Sequence, residues 1–337
     1  MATIKDVADL AGVSKSTASY AFNKPHLVKA DTLNRILEAA KKLDYQPNVF
    51  AQGLAGGKTQ MIGLLVPDIR YPFNATIAQS IEQTLRELGY LVVVSSTQGD
   101  ADESIKLMGQ LRRRGVSGFI IIPSFFGVNA KLLQAIRAMR VGNIPVIISG
   151  FGLDDSEIDQ VANQPQKGTQ MLVNHLVELG HTQIAYIGTR FSNKRLRGYI
   201  ETLSKHQILF RDEYVIETDI TPSNIREGIE RLLSLKQPPT AVFALNDVVA
   251  LEFQDYCYTH QIEIPQHISL VSFDYQAFVQ RKTPGVTSIV SPLEEVGRLS
   301  AELMIDRLEN PEKEVMHIEL PNGLMVREST APPRSAA

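Results

Sequence analysis

The sequence predicts an α/β protein made of two doubly wound parallel-sheet lobes, preceded by an all-α N-terminal headpiece of helix-turn-helix type. Three observations predict it. Before residues 56–60, "GGKTQ", every apolar pattern has helical spacing. After them, short continuous apolar runs alternate with amphipathic segments, as expected of strands buried on both faces of a parallel sheet. The runs come in two sets, and the closing segments are too many for one lobe, so the chain is expected to cross between lobes more than once and enclose a hinged cleft.

The elements follow in order. Thr3, with Asp6 three residues on, resembles a capping box, and Ile4, Val7, Ala8 and Ala11 then recur at helical spacing. Gly12 ends this helix. Ser14 caps a second one, with Ala18 and Phe22 inward and "NKP" closing it. A third runs over residues 31–43, with Leu33, Ile36, Leu37, Ala40 and Leu43 on one face. In "QPNVFAQGLAGG", Pro47 and Asn48 start a piece too short to hold itself helical in water, because helix nucleation is costly. The strands of the first set are "MIGLLVP", "YLVVVSS", "GFIIIPS" and "IPVIISG", with helices near 77–88, 105–111 and 132–139 between them. "QIAYIG", "YVIET", "TAVFAL" and "ISLVSFD" form the second set, with helices near 171–179, 196–206, 225–233 and 248–260. "TSIV", a helix near 293–308, "VMHIELP" and "LMVRES" close the fold. The expected division is a headpiece at 1–46, a hinge at 47–60, a core at 61–330 and a flexible tail at 331–337. Within the core, 61–162 with 292–320 form one lobe and 163–291 with 321–330 the other.

Composition narrows the classes. An apolar fraction of 44% over 337 residues is that of a globular chain. No stretch approaches the roughly 20 apolar residues that span a bilayer, and the start lacks an apolar run of signal-peptide length, so a cytoplasmic protein is expected. Cys257 is the only cysteine, which excludes an intramolecular disulfide and a cysteine-based zinc site and reads as core filler. Residues 1–60 hold eight Lys and Arg against five Asp and Glu, a balance of +3, whereas the remainder holds 26 against 32, or −6. The basic end is where an anionic polymer would be met.

The run "TIKDVADLAGVSKSTASYAFN", the later "YQPN", the hinge, and "IGLLVPDI…PF" together resemble the LacI/GalR family of bacterial transcription regulators. The likeness continues through "HLVELGHTQIAYIG", "AVFALNDVVALE", "ISLVSFD" and "VREST", nearly the whole chain. The residues read the same way by themselves. Gly12 supplies the tight turn of a helix-turn-helix, and small polar residues on the second helix let its backbone approach the major groove and phosphates. The resemblance implies that Lys15, Ser16 and Tyr20 read base edges, that Thr17 and Ser19 hold phosphate, and that Leu54 is a minor-groove wedge that kinks the duplex. Tyr20 departs from the Arg common at its place, and Gln52 from another.

Ligands of open α/β sheets bind beyond the carboxyl ends of strands. Phe73, Ser124, Asn246 and Asp274 follow such ends and Arg195 opens the helix after "AYIG"; the resemblance places all five at effector-binding positions. An aromatic face with an Arg, an Asn and an Asp suits a sugar or sugar derivative. Asn246 and Asp247 also have a plain reading as helix caps. Gly150 and Phe151 stand where the family presents an Asp or Arg, and Ile220 where it presents an aromatic, so a smaller, phosphorylated or more apolar effector stays open.

The expected function is thus a sequence-specific repressor, not an enzyme, working as a homodimer on a pseudopalindromic operator in the bacterial cytoplasm at the nucleoid. It would answer to a small-molecule effector and need no cofactor, metal or membrane. The rivals are an α/β enzyme, for which no G-x-S-x-G, phosphate-loop or H-E-x-x-H motif is present, and a solute receptor, which would have no use for a basic helical head.

Overall fold

The apolar runs assemble into two six-stranded sheets. A computed structural model of the protein describes residues 2–23, 25–45, 59–124, 128–153, 155–190, 194–274 and 284–334. The chain falls into two compact units, Met1–Met61 with Gln110–Ser117, and Ile62–Gly109 with Gly118–Ala337.

In the first unit the described helices are α1 (Ile4–Ala11), α2 (Lys15–Asn23) and α3 (Ala30–Lys42), with a 3₁₀ turn at Pro25–Leu27. The capping box on α1 is complete. Asp6 accepts from the Thr3 backbone N–H at 2.7 Å, and the Thr3 hydroxyl faces the Asp6 N–H at 3.4 Å. Gly12 takes φ 65°, the left-handed conformation that lets the chain leave α1 within one residue. The Ser14 hydroxyl then accepts from the Thr17 N–H at 3.1 Å and starts α2. Val7, Ala8, Ala11, Ala18, Ala21, Ile36, Ala39 and Ala40 form the small core. Leu37, expected on the inner face of α3, is exposed instead; one residue after Ile36 it is turned about 100° away, and Ala39 takes the inner place.

The second unit holds both sheets. The first contains β1 (Met61–Val66), β2 (Leu91–Ser96), β3 (Gly118–Ile121), β4 (Val146–Gly150), β5 (Asp159–Asn163) and β11 (His317–Leu320), in the order β11-β5-β4-β3-β1-β2. The other contains β6 (Ile184–Gly188), β7 (Val215–Glu217), β8 (Ala241–Ala244), β9 (Ser269–Phe273), β10 (Thr287–Val290) and β12 (Gly323–Met325), in the order β12-β10-β9-β8-β6-β7. Parallel pairing joins β1 to β3, with Ile62 opposite Gly118, and β8 to β9, with Ala241 opposite Ser269, whereas β10 and β12 pair antiparallel. The described helices after β1 are α4 (Pro72–Glu87), α5 (Ala101–Arg113), α6 (Ala130–Val141), α7 (Pro165–Glu178), α8 (Lys194–Lys205), α9 (Pro222–Leu233), α10 (Asp247–Thr259) and α11 (Leu293–Glu309). The chain changes sheet after β5, after β10 and after β11. Polar bonds join these crossings: Asn163 Nδ2 donates to Ser291 Oγ at 2.9 Å, and Asn322 Nδ2 to the Gln164 carbonyl at 2.8 Å.

Two further expectations meet corrections, and one strand had not been foreseen. The run "YLVVVSS" is not buried on both faces: as β2 it lies at a sheet edge, leaving Leu91 and Val94 exposed. The "DQVAN" of β5 carried no apolar signal, yet all five residues are buried. Asp159 is tolerated there because Arg307 of α11 pairs with it at 2.8 Å and the Met316 N–H donates to it at 2.8 Å. Ala331, expected in the flexible tail, is anchored: its N–H donates to Ser269 Oγ at 3.1 Å and its carbonyl accepts from His181 Nε2 at 2.8 Å.

Candidate functional site

On α2, Ala18 and Ala21 pack into the core, which fixes the rotation of the helix and turns Lys15, Ser16 and Tyr20 to solvent. Thr17 and Ser19 are half-buried, and the Thr17 hydroxyl lies 2.8 Å from that of Ser14, so it serves the start of the helix as well. The outer face offers an ammonium, hydroxyls and a phenol, groups that match phosphate oxygens and base edges. Leu54, Pro47, Asn48 and Gln52 lie outside the described residues.

The second candidate site is a cleft of about 600 Å³ in the second unit, at the carboxyl ends of strands from both sheets. Phe73, Ser124, Arg195, Asn246 and Asp274, the five positions expected from sequence, all line it. Phe73 sits in the first turn of α4, where Pro72 starts the helix. Ser124 follows β3 and donates to the Gly99 carbonyl at 3.2 Å. Asn246 caps α10, its Oδ1 accepting from the Val249 N–H at 3.1 Å, so its plain role is real, and the residue also lines the cleft.

Arg195 and Asp274 meet each other. The guanidinium, 1% exposed, lies 2.5 Å from the Asp274 carboxylate, 2.5 Å from the Leu245 carbonyl, and 3.7 Å above the Phe273 ring centroid. Asp274, at φ 58°, also accepts from Ser291, the residue bonded to Asn163 at the crossings. A buried, bonded pair of this kind fixes the floor of the cleft, and removing one partner would strand the other's charge.

Beyond the five, Phe151, Ile220 and Asp247, which the sequence named only as departures or as a cap, line the cleft beside residues that it did not single out. Phe151 stacks on Phe73 with ring centroids 4.6 Å apart and planes 7° from parallel. Gly150 makes this approach possible: at φ 103°, any Cβ there would lie 3.2 Å from the Phe73 ring and Ile77. Asp68, Arg70, Tyr71, Gln98, Asp219, Ile220 and Asp247 also belong to the lining. Most follow strand ends as closely as the residues that were found, so the same rule applied to every strand would have caught them. Ile220 takes φ 63°, a costly conformation for a β-branched residue, at the rim of the cleft. Burial, with the neighbouring Asp274 charge adding, pushes the Asp247 carboxyl up to about 6, against the opposing pull of the Val248 N–H and Arg195. Cys257 is buried and its thiol is pushed up to about 12, consistent with core filler.

Comparison with known proteins bears on both sites. Residues 3–48 match the family described as bacterial regulatory proteins, lacI family, and residues 173–330 the periplasmic binding protein-like domain. The chain is 32% identical over 337 residues to the probable HTH-type transcriptional repressor ExuR of Bacillus subtilis, covering 98% of each. To the HTH-type transcriptional repressor PurR of Photorhabdus laumondii it is 30% identical over 334 residues, covering 98% of this chain and 97% of that one. Its fold matches the lac repressor dimer bound to operator and the anti-inducer ONPF with a TM-score of 0.86 at 26% identity, covering 98% of this chain and 99% of that one.

Proposed function

Because the chain belongs to the lacI family of bacterial regulatory proteins, we propose that it is a sequence-specific transcriptional repressor whose grip on a pseudopalindromic operator is set by a small molecule in the cleft of its core. The observation that carries this reading is the outward face of α2, where Lys15, Ser16 and Tyr20 stand exposed on a helix whose small residues fill the core. Lys15, Ser16 and Tyr20 read bases, Thr17 and Ser19 hold phosphate, and Leu54 wedges the minor groove. The matched lac repressor was solved as a dimer on operator with a small ligand. Carried to this chain, that arrangement means a homodimer, working on DNA in the cytoplasm, whose effector and operator affinities are reciprocally coupled. Stacked rings beside hydroxyl and amide groups suit a sugar or sugar derivative as the effector.

Operator selection from random duplexes followed by gel retardation tests the reading. The expected product is a two-fold symmetric site whose affinity falls steeply with salt. Tyr20→Arg should change the preferred base at one symmetric pair of positions by about 1–3 kcal/mol. An unchanged consensus would remove Tyr20 from the base readers. Failure to enrich any sequence would overturn the function.

A further inference from the structure

We infer that the cleft is built for a cationic effector, a small molecule that carries a protonated amine beside an apolar face, such as an amino sugar. The inference rests on the reading of this cleft as an effector site and goes on to its charge. Among the described lining residues are four aspartates, Asp68, Asp219, Asp247 and Asp274, and two arginines, Arg70 and Arg195. Both arginines are already matched. Arg70 pairs with Asp68 at 2.7 Å, and Arg195 with Asp274 at 2.5 Å. The described lining therefore carries two carboxylates beyond those its own described cations balance.

Neither carboxylate is idle filler. Asp219 accepts from the Thr221 N–H at 2.9 Å and the Thr221 hydroxyl at 2.7 Å, bonds that hold it below the usual carboxylate range and therefore ionised. Asp247 is 8% exposed; its Oδ1 takes the Val248 N–H at 2.9 Å, and no described group donates to its other oxygen. That second oxygen is accessible on the cleft wall, where a ligand donor can reach it. A ligand ammonium supplies three donors and the missing charge together. A ligand carboxylate or phosphate would meet like charge at Asp219 and Asp247. The stacked Phe73 and Phe151 rings add a flat wall that accepts either the C–H face of a sugar ring or a cation.

Isothermal titration calorimetry on the full-length protein at about pH 7.5 tests this, with ligand concentrations reaching about 50 mM so that weak binding registers. The probes are matched sets: the 2-amino-2-deoxy, neutral and uronic acid forms of glucose, galactose and mannose, with glucose 6-phosphate added. On at least one scaffold the amine should bind about tenfold or more tighter than its neutral parent, and the anions should give no binding heat. Asp247→Asn should reduce that preference to within about threefold, chiefly by weakening the amine. Asp219→Asn, at an exposed position, gives a second variant whose folding is not at issue and should also narrow the preference. The inference is overturned if an anion or a neutral sugar binds tighter than its amine, if no amine binds on any scaffold, or if both variants keep the full preference. Operator retardation with the same compounds separates the two readings. An amine that binds without changing operator affinity removes the effector role and keeps the charge selection; an anion that changes operator affinity does the reverse.

Discussion

Asp247 shows how one residue can hold a site at the expense of stability. Folding raises its carboxyl from 3.8 to about 6, so between those values the native chain binds more protons than the unfolded one. Stability from this group is therefore fullest below about pH 4 and falls as pH rises through 6, by at most about 3 kcal/mol. His181 runs the other way. Burial lowers its pKa, its Nε2–H donates to the Ala331 carbonyl and its Nδ1 accepts from Thr240 at 2.8 Å, so its contribution is lost as pH falls below 6.5. The two opposing trends make the difference between variant and parent more informative than either curve. Asp247→Asn should melt higher than the parent at pH 8, with a gain of up to about 3 kcal/mol, and near parity at pH 4. Calorimetric melts at the two pH values check it; an equal difference at both would mean that the gain does not come from the charge facing Asp274 and Arg195. Asn246 and Asp247 were legible as caps from their place before an apolar run. Their second role depends on what the other sheet brings opposite them.

At the scale of elements, local rules held where an element's neighbours do not matter. The Thr3–Asp6 box, the Gly12 exit and the Ser14 cap were readable because each bond closes within three or four residues. Strand burial is different. An apolar run marks a strand, but its place in the sheet decides whether both faces are covered, and β2 lies at the edge with Leu91 63% and Val94 43% exposed. An exposed apolar edge of this kind calls for a partner. In the homodimer proposed above, β2 is the segment we expect to be covered by the second copy. Val94→Asp should then weaken dimerisation by about a hundredfold or more, seen by sedimentation equilibrium as monomer at concentrations where the parent is dimeric. A variant that stays dimeric would place the interface on another surface.

Across the whole molecule, the three crossings between sheets are tied by polar bonds, Asn163 to Ser291 and Asn322 to Gln164. Arg307, 4% exposed, joins Asp159 of β5 to the Glu314 carbonyl at 2.7 Å, and so fastens β5 to the segment entering β11. Arg307→Met should cost about 3–5 kcal/mol, because Asp159 is left buried without its counter-charge. Adding Asp159→Asn should recover most of the loss, since an amide oxygen still accepts the Met316 N–H. Denaturant unfolding of the single and double variants measures both. Equal instability of the two would assign the loss to the packing of the Arg307 side chain instead of its charge.

By itself the sequence determined the class of the protein: the change of period near residue 60, the two sets of apolar runs, the capped helices of the head and the five cleft residues that follow strand ends or open a helix. Each of these is written in spacings of two, three or four residues, which the backbone geometry of strands and helices reads directly. Only the tertiary structure decided that β2 is an edge, that polar β5 is buried, that Phe151 stacks on Phe73, and that Arg195 is held by Asp274 instead of standing free for a ligand. Arg195 and Asp274 lie 79 residues apart, on elements whose meeting depends on strand order. No local spacing encodes that order, because it is chosen by which complete set of apolar faces and buried charges can be satisfied at once.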